Sequence, residues 1–585
     1  MPIRAKIAAF LGAAAAFALL PLFQPPAFYE SLLYLVFFWV ALATSWAILS
    51  GFSGYFSFGH GAFYGAGVYT TAAVASRFDI PLVLTWLASG LVASLLGIAI
   101  GAVIFRLRRL RGELFALLTL AVTFVIATIV LNTRIDGGPG VFLSGVKLPD
   151  IFGRQSSTIY LLGVVIAFAS LATAWFVQYS RLGRGLFAIS DDEDVAEVMG
   201  VPTYRYKLMA LGLSCFLAGV AGGIHAVFVT YVTISETFSV VVPVSVVLMS
   251  VLGGARHWLG PALGAAFITL LNYAFVGGEW AVIGRAIIGA ILILVILFLP
   301  HGIAGFVAQR WRRLRPAAVS EPPASSGARP PIAAPTAVPK PAQGGVLLRC
   351  EDVQLAFRGV RALAGVTLDV RQGEILGIVG PNGSGKSTLV NAISGYYRPD
   401  AGRILFGGTN LVTLPAHRIA ELGLARTYQI PRPCQRLTVT ENVALAGMFG
   451  AAALDRPAAL SEARHWLDFV GLGERAASLP AQLNLHQRKF LELARALASR
   501  PRLVMLDEVL SGLTPTEIAG AVALIREIRQ QGATVIFIEH NMRAVLELTE
   551  RLVVLNYGQV IAEGLPRDVV RQPDVIKAYL GTAHV

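Results

Sequence analysis

Ten apolar stretches fill the N-terminal half of this chain, and they limit its fold more than any other feature of the sequence. A helix needs about 20 apolar residues to cross a bilayer. Some of the stretches are shorter, so one or two are expected to be re-entrant or merged, and we predict about eight to ten membrane spans. The stretches lie at about 7–23, 31–50, 60–76, 80–105, 113–131, 159–178, 208–233, 238–256, 260–276 and 284–303.

The composition agrees with a membrane chain. Only 14% of the 585 residues are charged, against roughly 25% in an average soluble protein, and the mean hydropathy is +0.66. These values exclude a wholly soluble chain and a disordered one. In so apolar a chain, a net charge of +13 indicates cytoplasmic loops, and no nucleic-acid partner is expected. The three cysteines form no CxxC pair, which excludes a disulfide scaffold and a cysteine-based zinc site.

The basic residues between the stretches predict the orientation. They form four clusters, and the positive-inside rule places all four in the cytoplasm. Four, two and four stretches separate successive clusters, and even numbers are what a chain returning to one side requires. Both termini are therefore predicted to be cytoplasmic. The clusters are Arg4/Lys6, Arg106/Arg108/Arg109/Arg111, Arg181/Arg184 with Arg205/Lys207, and Arg310/Arg312/Arg313/Arg315.

Two features of the apolar half have alternative interpretations. The first stretch is similar to a signal peptide, but residues 24–28 make a poor cleavage site and further spans follow, so we expect a retained span. His60 is the notable polar residue among the stretches. It either lines a pathway or makes a structural hydrogen bond at a helix start, and the second interpretation is favoured.

A proline-rich segment divides the chain at residues 316–345. Eight of its residues are proline, and almost none are large and apolar. Such a segment cannot build a core and should be an extended tether. We therefore predict a helical transmembrane domain at 1–315, this linker at 316–345, and an α/β domain at 346–585.

The second half contains a phosphate-binding loop. A short β-branched run at 375–379 leads directly into the pattern GxxxxGK[ST], and an apolar run that suits a helix follows. Backbone N–H groups of such a loop surround phosphate oxygens, and the helix N-terminus adds a favourable partial charge. We expect Lys386 to reach the β- and γ-phosphates of ATP and Ser387 to bind Mg²⁺. The loop comprises Gly380, Pro381, Asn382, Gly383, Ser384, Gly385, Lys386, Ser387 and Thr388.

A second buried strand ends in two carboxylates, Asp507 and Glu508. Beside the phosphate loop, Asp507 would hold Mg²⁺ through water, and Glu508 would polarise the attacking water. A strand ending in Asp-Glu is weak support for a catalytic site by itself. Its position downstream of a phosphate loop makes this support strong.

With these motifs, residues 346–585 resemble the ATPase subunit of ATP-binding cassette (ABC) transporters. The resemblance implies that Phe357 stacks on adenine, although a Phe packed on a strand would give the same pattern. It implies that Gln429, in Ala-Arg-Thr-Tyr-Gln, contacts Mg²⁺ and faces the membrane domain. It also implies that His540, at the end of Val-Ile-Phe-Ile-Glu-His, contacts the γ-phosphate.

The family signature, Leu-Ser-Gly-Gly-Gln, is altered in this chain. Leu483 is followed by Asn484, Leu485, His486 and Gln487. In the family, this segment binds the γ-phosphate of ATP held by the opposite subunit. Asn484 still offers a polar side chain, but Leu485 and His486 add bulk where close backbone approach is expected. The ATP site that this signature would complete is therefore in doubt.

The apolar half resembles the permeases of bacterial branched-chain amino-acid importers. The similar segments are 54–67, 111–120 and 180–200, and the end of the ATPase region at 575–581 also resembles these importers. The resemblance implies uptake of branched-chain or related small amino acids across a bacterial inner membrane, with a periplasmic binding protein delivering the substrate. Urea, short amides and small carboxylates remain alternative substrates, and a membrane-tethered regulatory ATPase is an alternative function.

The resemblance also implies a docking segment and partner subunits. Importers of this kind dock a short cytoplasmic segment, here 189–200, on the ATPase near its glutamine loop. A solvated loop helix is the alternative. The family works with two permeases and two ATPases, whereas this chain carries one of each. An intact catalytic set beside an altered signature favours a hetero-assembly with a second permease and ATPase, although a homodimer remains open.

Overall fold

The computed structural model describes residues 3–78, 80–107, 112–133, 135, 140–143, 146, 148, 150–276, 289–290, 293, 302–306 and 345–580. The chain forms two compact units, Met1–Ser190 with Tyr204–Ala324, and Asp191–Thr203 with Ser325–Val585. The short segment Asp191–Thr203 thus groups with the C-terminal unit, although the sequence-based boundary places it in the membrane domain. Nearly all of the predicted linker, most of the stretch at 284–303 and the last basic cluster lie outside the described residues.

Apolar helices build the first unit. Seven of those described are long and apolar enough to cross a membrane, and Gly260–Ala274 is a shorter apolar helix. The helix His60–Arg77 is not among the seven. The predicted total of eight to ten spans stays a prediction. The helices of 10 or more residues are Ile3–Ala18, Ala27–Trp46, His60–Arg77, Leu82–Ile104, Glu113–Leu131, Gln155–Tyr179, Arg181–Asp191, Thr203–Val229, Val241–Gly253 and Gly260–Val276.

The second helix of this unit ends in an irregular turn. A π-helical turn, Ala47–Gly51, follows Ala27–Trp46. A Cβ at Gly51 would lie 2.0 Å from the Ala255 carbonyl oxygen, so only glycine fits this approach. The buried His60 then begins the next helix, and its Nε2 lies 2.8 Å from Ser45 Oγ. This contact supports the structural interpretation of His60.

Two sheets organise the second unit. The first has six strands and, apart from an antiparallel strand at one edge, is parallel, in the order Gln559–Gly564, Arg551–Asn556, Ile375–Val379, Thr534–Ile538, Leu503–Asp507 and Leu424–Arg426. The second is antiparallel, in the order Val360–Arg371, Val346–Phe357, Ala401–Phe406 and Thr409–Asn410. The described helices of six or more residues in this unit are Glu193–Val198, Lys386–Ile393, Ala416–Glu421, Val439–Phe449, Arg456–Phe469, Leu485–Ala498, Pro515–Gln530, Met542–Leu548 and Pro573–Leu580.

The register of the parallel strands positions the site. Three neighbouring strands are buried along their whole length, as continuous apolar runs in a parallel sheet should be. Ile538 pairs with both Asp507 and Ile378. The carboxyl ends of these strands therefore meet at one edge, where ligands bind in open α/β sheets. The architecture that the sequence predicts, a set of apolar helices followed by an α/β domain, is confirmed.

Candidate functional site

The phosphate loop joins the strand Ile375–Val379 to the helix Lys386–Ile393, as the sequence predicts. Gly385 has a φ of 105°, and a Cβ there would lie 2.6 Å from the Ala362 carbonyl oxygen, so this turn requires glycine. Lys386 Nζ donates to the carbonyl oxygens of Gly380 at 2.8 Å and Pro381 at 3.0 Å. Burial lowers the pKa of Lys386, while the carboxylates of Glu508 and Asp507 act to raise it.

Glu508 lies between two polar side chains that the sequence singles out. Gln429 Nε2 donates to Glu508 Oε2 at 2.6 Å, and His540 Nε2 lies 2.7 Å from Glu508 Oε1. The backbone of Glu508 has a φ of 48°, an uncommon conformation for a residue with a side chain. Residues from three separate segments therefore meet at one carboxylate, beside the end of the sheet.

Two residues that the sequence analysis missed fix this carboxylate turn. Lys489 Nζ donates to the carbonyl oxygens of Glu508 at 2.8 Å and Ser511 at 2.5 Å. The buried Glu539 accepts the N–H of Leu510 at 2.6 Å. The available signal for Glu539 was a glutamate directly after an apolar strand, because such groups are rarely buried without partners. Lys489 lies in an amphipathic helix beside other charged residues, so no sequence signal pointed to it. Burial raises the pKa of Glu539 and lowers that of Lys489.

Asp507 is the residue best placed to hold a cation. Its N–H donates to Thr427 Oγ1 at 3.1 Å, and only 2% of its surface is exposed. Within the described part of the chain, its buried Oδ1 has no hydrogen-bond partner. Burial raises the pKa of Asp507, and the nearby Arg426 acts to lower it. A buried carboxylate oxygen without a partner fits a cation ligand, and the exposed Ser387 lies at the start of the phosphate-loop helix.

Phe357 lies at the end of the strand Val346–Phe357 and is 39% exposed. Its ring meets Tyr397 edge to face, with the centroids 4.9 Å apart. Both interpretations of this residue, adenine stacking and packing beside the strand, therefore retain a physical basis.

The altered signature forms a complete helix cap. Asn484 Oδ1 accepts the N–H of Gln487 at 2.8 Å, and Gln487 Oε1 accepts the N–H of Asn484 at 3.2 Å, which is a capping box. His486 Nδ1 lies 3.3 Å from Glu517 Oε1, and Leu485 is 54% exposed. The side chain of Asn484 is thus already engaged within its own helix.

The segment Asp191–Thr203 lies against the ATPase fold within the second unit. Asp192 Oδ2 accepts from Arg432 Nη1 at 3.1 Å, three residues beyond Gln429 in the chain. Gly200 has a φ of 101°, and a Cβ there would lie 2.0 Å from the Phe449 carbonyl oxygen. The sequence predicts such a contact for 189–200, and the geometry agrees for its part from Asp191 onward.

Three family models match the chain. Residues 28–296 match "Branched-chain amino acid transport system / permease component". Residues 363–511 match "ABC transporter", and residues 559–585 match "Branched-chain amino acid ATP-binding cassette transporter". The order of the matches follows the order of the two units.

Curated relatives match the ATPase region. It is 38% identical over 251 residues to the high-affinity branched-chain amino acid transport ATP-binding protein BraF of Pseudomonas aeruginosa, covering 98% of that protein and 40% of this chain. It is 36% identical over 252 residues to LivG of Salmonella typhimurium, again covering 98% of that protein and 40% of this chain. A crystal structure of a nucleotide-free ATP-binding cassette is matched at 29% identity and a TM-score of 0.38, over 40% of this chain and all of that one. The chain therefore belongs to the branched-chain amino acid ABC transporter family, as a membrane protein that joins a permease region and an ATP-binding region in one polypeptide.

Proposed function

We propose that this protein is a subunit of an ATP-driven importer that takes up branched-chain or related small amino acids. BraF and LivG are branched-chain amino acid transport ATP-binding proteins, and this supports the substrate class. Residues 28–296 match a permease family, and this region forms the path across the membrane. Membership of the family implies a substrate-binding protein as a partner, and we place that protein in the periplasm.

The ATPase site hydrolyses ATP through a small set of residues. Lys386 and the loop N–H groups hold the phosphates of ATP, and Phe357 contacts the adenine. Glu508 orients and polarises the attacking water, and His540 holds the position of Glu508 and contacts the γ-phosphate. When Mg²⁺ is bound by Asp507, Ser387 and Gln429, it neutralises charge on the phosphates. The contacts of Glu508 with Gln429 and His540 support these roles.

The contact between Asp192 and Arg432 is the observation that supports coupling of ATP hydrolysis to transport. Asp192 belongs to a segment that the chain inserts between the helices Gln155–Tyr179 and Thr203–Val229. Arg432 follows Gln429, whose side chain contacts Glu508. Movement of the segment and movement of the catalytic carboxylate are therefore linked through a few residues of one loop.

We also propose a hetero-assembly in the bacterial inner membrane, with both termini and the ATPase region in the cytoplasm. A partner permease and a partner ATPase complete the complex. The partner's signature then completes the site built on Lys386, Asp507, Glu508 and His540. The side chains of Leu485 and His486 support this asymmetry, because they add bulk where the family has glycines.

Reconstitution in liposomes tests this function. The chain, its partner subunits and the binding protein are incorporated, and uptake of radiolabelled leucine is followed with ATP supplied on the cassette side. ATP-dependent accumulation is expected, and it should be lost with Glu508→Gln. Accumulation of urea or a small carboxylate in place of leucine would contradict the substrate class, and ATPase activity without any uptake would contradict transport.

A further inference from the structure

A small cavity lies inside the second unit, under the segment Asp191–Thr203. Its volume is about 30 Å³, which is more than the 10–15 Å³ or so that one water molecule needs. Its walls come from that segment, from the strand before Gln429 and from the helix after the signature. The lining includes Met199, Tyr428, Glu492, Arg495 and Ser499.

Two residues that line this cavity each carry a buried polar atom without a hydrogen-bond partner among the described residues. Tyr428 Oη and Arg495 Nε are both buried, and neither makes a hydrogen bond to any group of the described residues. An unsatisfied buried polar group costs about 1–3 kcal/mol, and native proteins leave few of them. Ser499 also lines the cavity, and its hydroxyl donates to the Ala496 carbonyl, which leaves the oxygen able to accept. The cavity therefore offers a water molecule the two to four partners it needs.

Arg495 joins this cavity to the loop that carries Gln429. The guanidinium is 3% exposed, and its Nη1 donates to the Arg432 carbonyl at 3.0 Å and to Glu492 Oε1 at 2.5 Å. The same Glu492 oxygen accepts the N–H of Arg432 at 3.0 Å. The buried pair thus holds both backbone groups of Arg432, three residues beyond Gln429.

Arg495 also contacts the segment Asp191–Thr203. Its Nη2 contacts the sulfur of Met199, and Met199 itself lines the cavity. Arg495 therefore contacts the segment Asp191–Thr203 through Met199 and the loop of Gln429 through Arg432. Asp192 and Arg432 join the same two parts of the fold nearer the surface. Because the interior is close-packed, a shift of Met199 must displace either the guanidinium or the cavity contents.

We propose that a buried water molecule bridges Tyr428 Oη and Arg495 Nε, and that Arg495, with this water, is the positioning residue through which Met199 controls the loop of Gln429. The second part rests on the proposed transport function. The water itself does not, since it follows from the cavity and its two unpartnered groups. Arg495 acts through Arg432 and Gln429, and it does not touch ATP.

The water is tested by density and by thermal stability. A map of the assembled transporter at a resolution that shows ordered solvent should contain a peak within hydrogen-bond distance of Tyr428 Oη and Arg495 Nε, and an empty cavity overturns the proposal. Tyr428→Phe should lower the melting temperature of the cassette by about 1–4 °C, because it removes one partner of the water. An unchanged or higher melting temperature means that the Tyr428 hydroxyl had no partner, and this result overturns the proposal of a bridging water. Tyr557→Phe, whose ring is 85% exposed, is the control and should leave the melting temperature unchanged.

The positioning role is tested with Arg495→Lys in the reconstituted transporter. Lysine keeps the charge beside Glu492 but lacks the Nε–H and the second donor towards Met199. The ratio of binding-protein-stimulated to basal ATPase activity should fall about 2- to 30-fold, the usual range for a residue that transmits coupling. Arg500→Lys is the matched control, since Arg500 also pairs with a glutamate, Glu462, and neither residue lines the cavity. An equal effect of both variants, or an unchanged ratio with Arg495→Lys, overturns the role. If the wild-type complex shows no transport, the proposed function fails, while the density and melting-temperature results still decide on the water.

Discussion

Glu508 and His540 meet at the carboxyl edge of the parallel sheet, where His540 Nε2 lies 2.7 Å from Glu508 Oε1. The contact depends on strand register, since Ile538 pairs with Asp507, Glu508 comes one residue after Asp507, and His540 comes two residues after Ile538. Gln429 reaches the other oxygen of the same carboxylate. A single carboxylate therefore contacts the glutamine loop through one oxygen and, through the other, the histidine that follows the strand Thr534–Ile538.

Replacing Glu508 by glutamine should preserve ATP binding and trap the nucleotide. The amide keeps the size of the side chain and one accepting oxygen but cannot polarise water as a carboxylate does, and loss of a general base costs about 10²–10⁴-fold in rate. Steady-state phosphate release and retention of labelled ATP measure the two effects. Glu550→Gln, which alters only an exposed ion pair with Arg529, should retain activity. Wild-type turnover in Glu508→Gln would show that the assigned role is wrong.

Replacing Lys386 by alanine should abolish productive ATP binding. The ammonium is the main cation of the phosphate loop, and a hydrogen bond to a charged group contributes about 1.5–3 kcal/mol. Affinity for a fluorescent ATP analogue should therefore fall at least about tenfold. Arg418→Ala, which removes an exposed pair with Glu421, should bind the analogue normally. Unchanged affinity of the Lys386 variant would contradict the assignment of the loop.

Lys489→Met should lower turnover about tenfold or more while leaving ATP affinity intact. The lysine holds the carbonyl oxygens of Glu508 and Ser511, so its loss misplaces the catalytic carboxylate, and small misplacements are costly. Separate measurement of kcat and of ATP affinity distinguishes this from misfolding. Arg488→Met, the neighbouring residue, contacts the carbonyl oxygens of Pro480 and Ala481 and should retain turnover. A normal kcat for Lys489→Met would show that Lys489 does not position Glu508.

Exchanging the charges of Asp192 and Arg432 tests the docking contact. Both side chains are partly exposed, and such pairs contribute about 0.2–1 kcal/mol. Asp192→Arg or Arg432→Asp alone should therefore reduce binding-protein-stimulated ATPase activity by up to about fivefold. The double variant should recover the part of the loss that comes from the ion pair, although it still lacks the helix cap that Asp192 provides. If it is no better than the single variants, the two residues do not act together.

Assembly is tested by purifying this chain with and without a co-expressed partner ATPase and permease. We expect stimulated ATPase activity and uptake only with the partner. Restoring Ser-Gly-Gly at 484–486 should raise turnover only modestly, because that signature completes the partner's site. Serine also caps a helix, so the helix after the signature should survive the change. Full stimulated activity of this chain alone would establish a homodimer.

Local patterns were enough to predict much of the site. The phosphate loop needs glycines, a lysine and a hydroxyl in consecutive positions, so its residues are visible without any tertiary contact. The strand before Asp507 is likewise visible, because a strand buried on both faces reads as a continuous apolar run. The ATP-binding cassette fold followed from these segments in order.

Contacts between distant segments could not be predicted in the same way. Lys489 looks like one more charge in an amphipathic helix, and only the tertiary fold brings its ammonium to the Glu508 carbonyl. Arg495 and Tyr428 also become notable only when packing leaves their polar atoms buried beside one cavity.

The sequence by itself determined the division into an apolar helical half and a cassette half, and the residues of the predicted phosphate loop. Both depend on composition and on spacing along the chain. Only the tertiary structure decided that Gln429, His540 and Lys489 converge on Glu508, and that Asp191–Thr203 groups with the cassette. Convergence depends on strand register and on close packing, which arise when segments far apart in the chain bury their surfaces against one another.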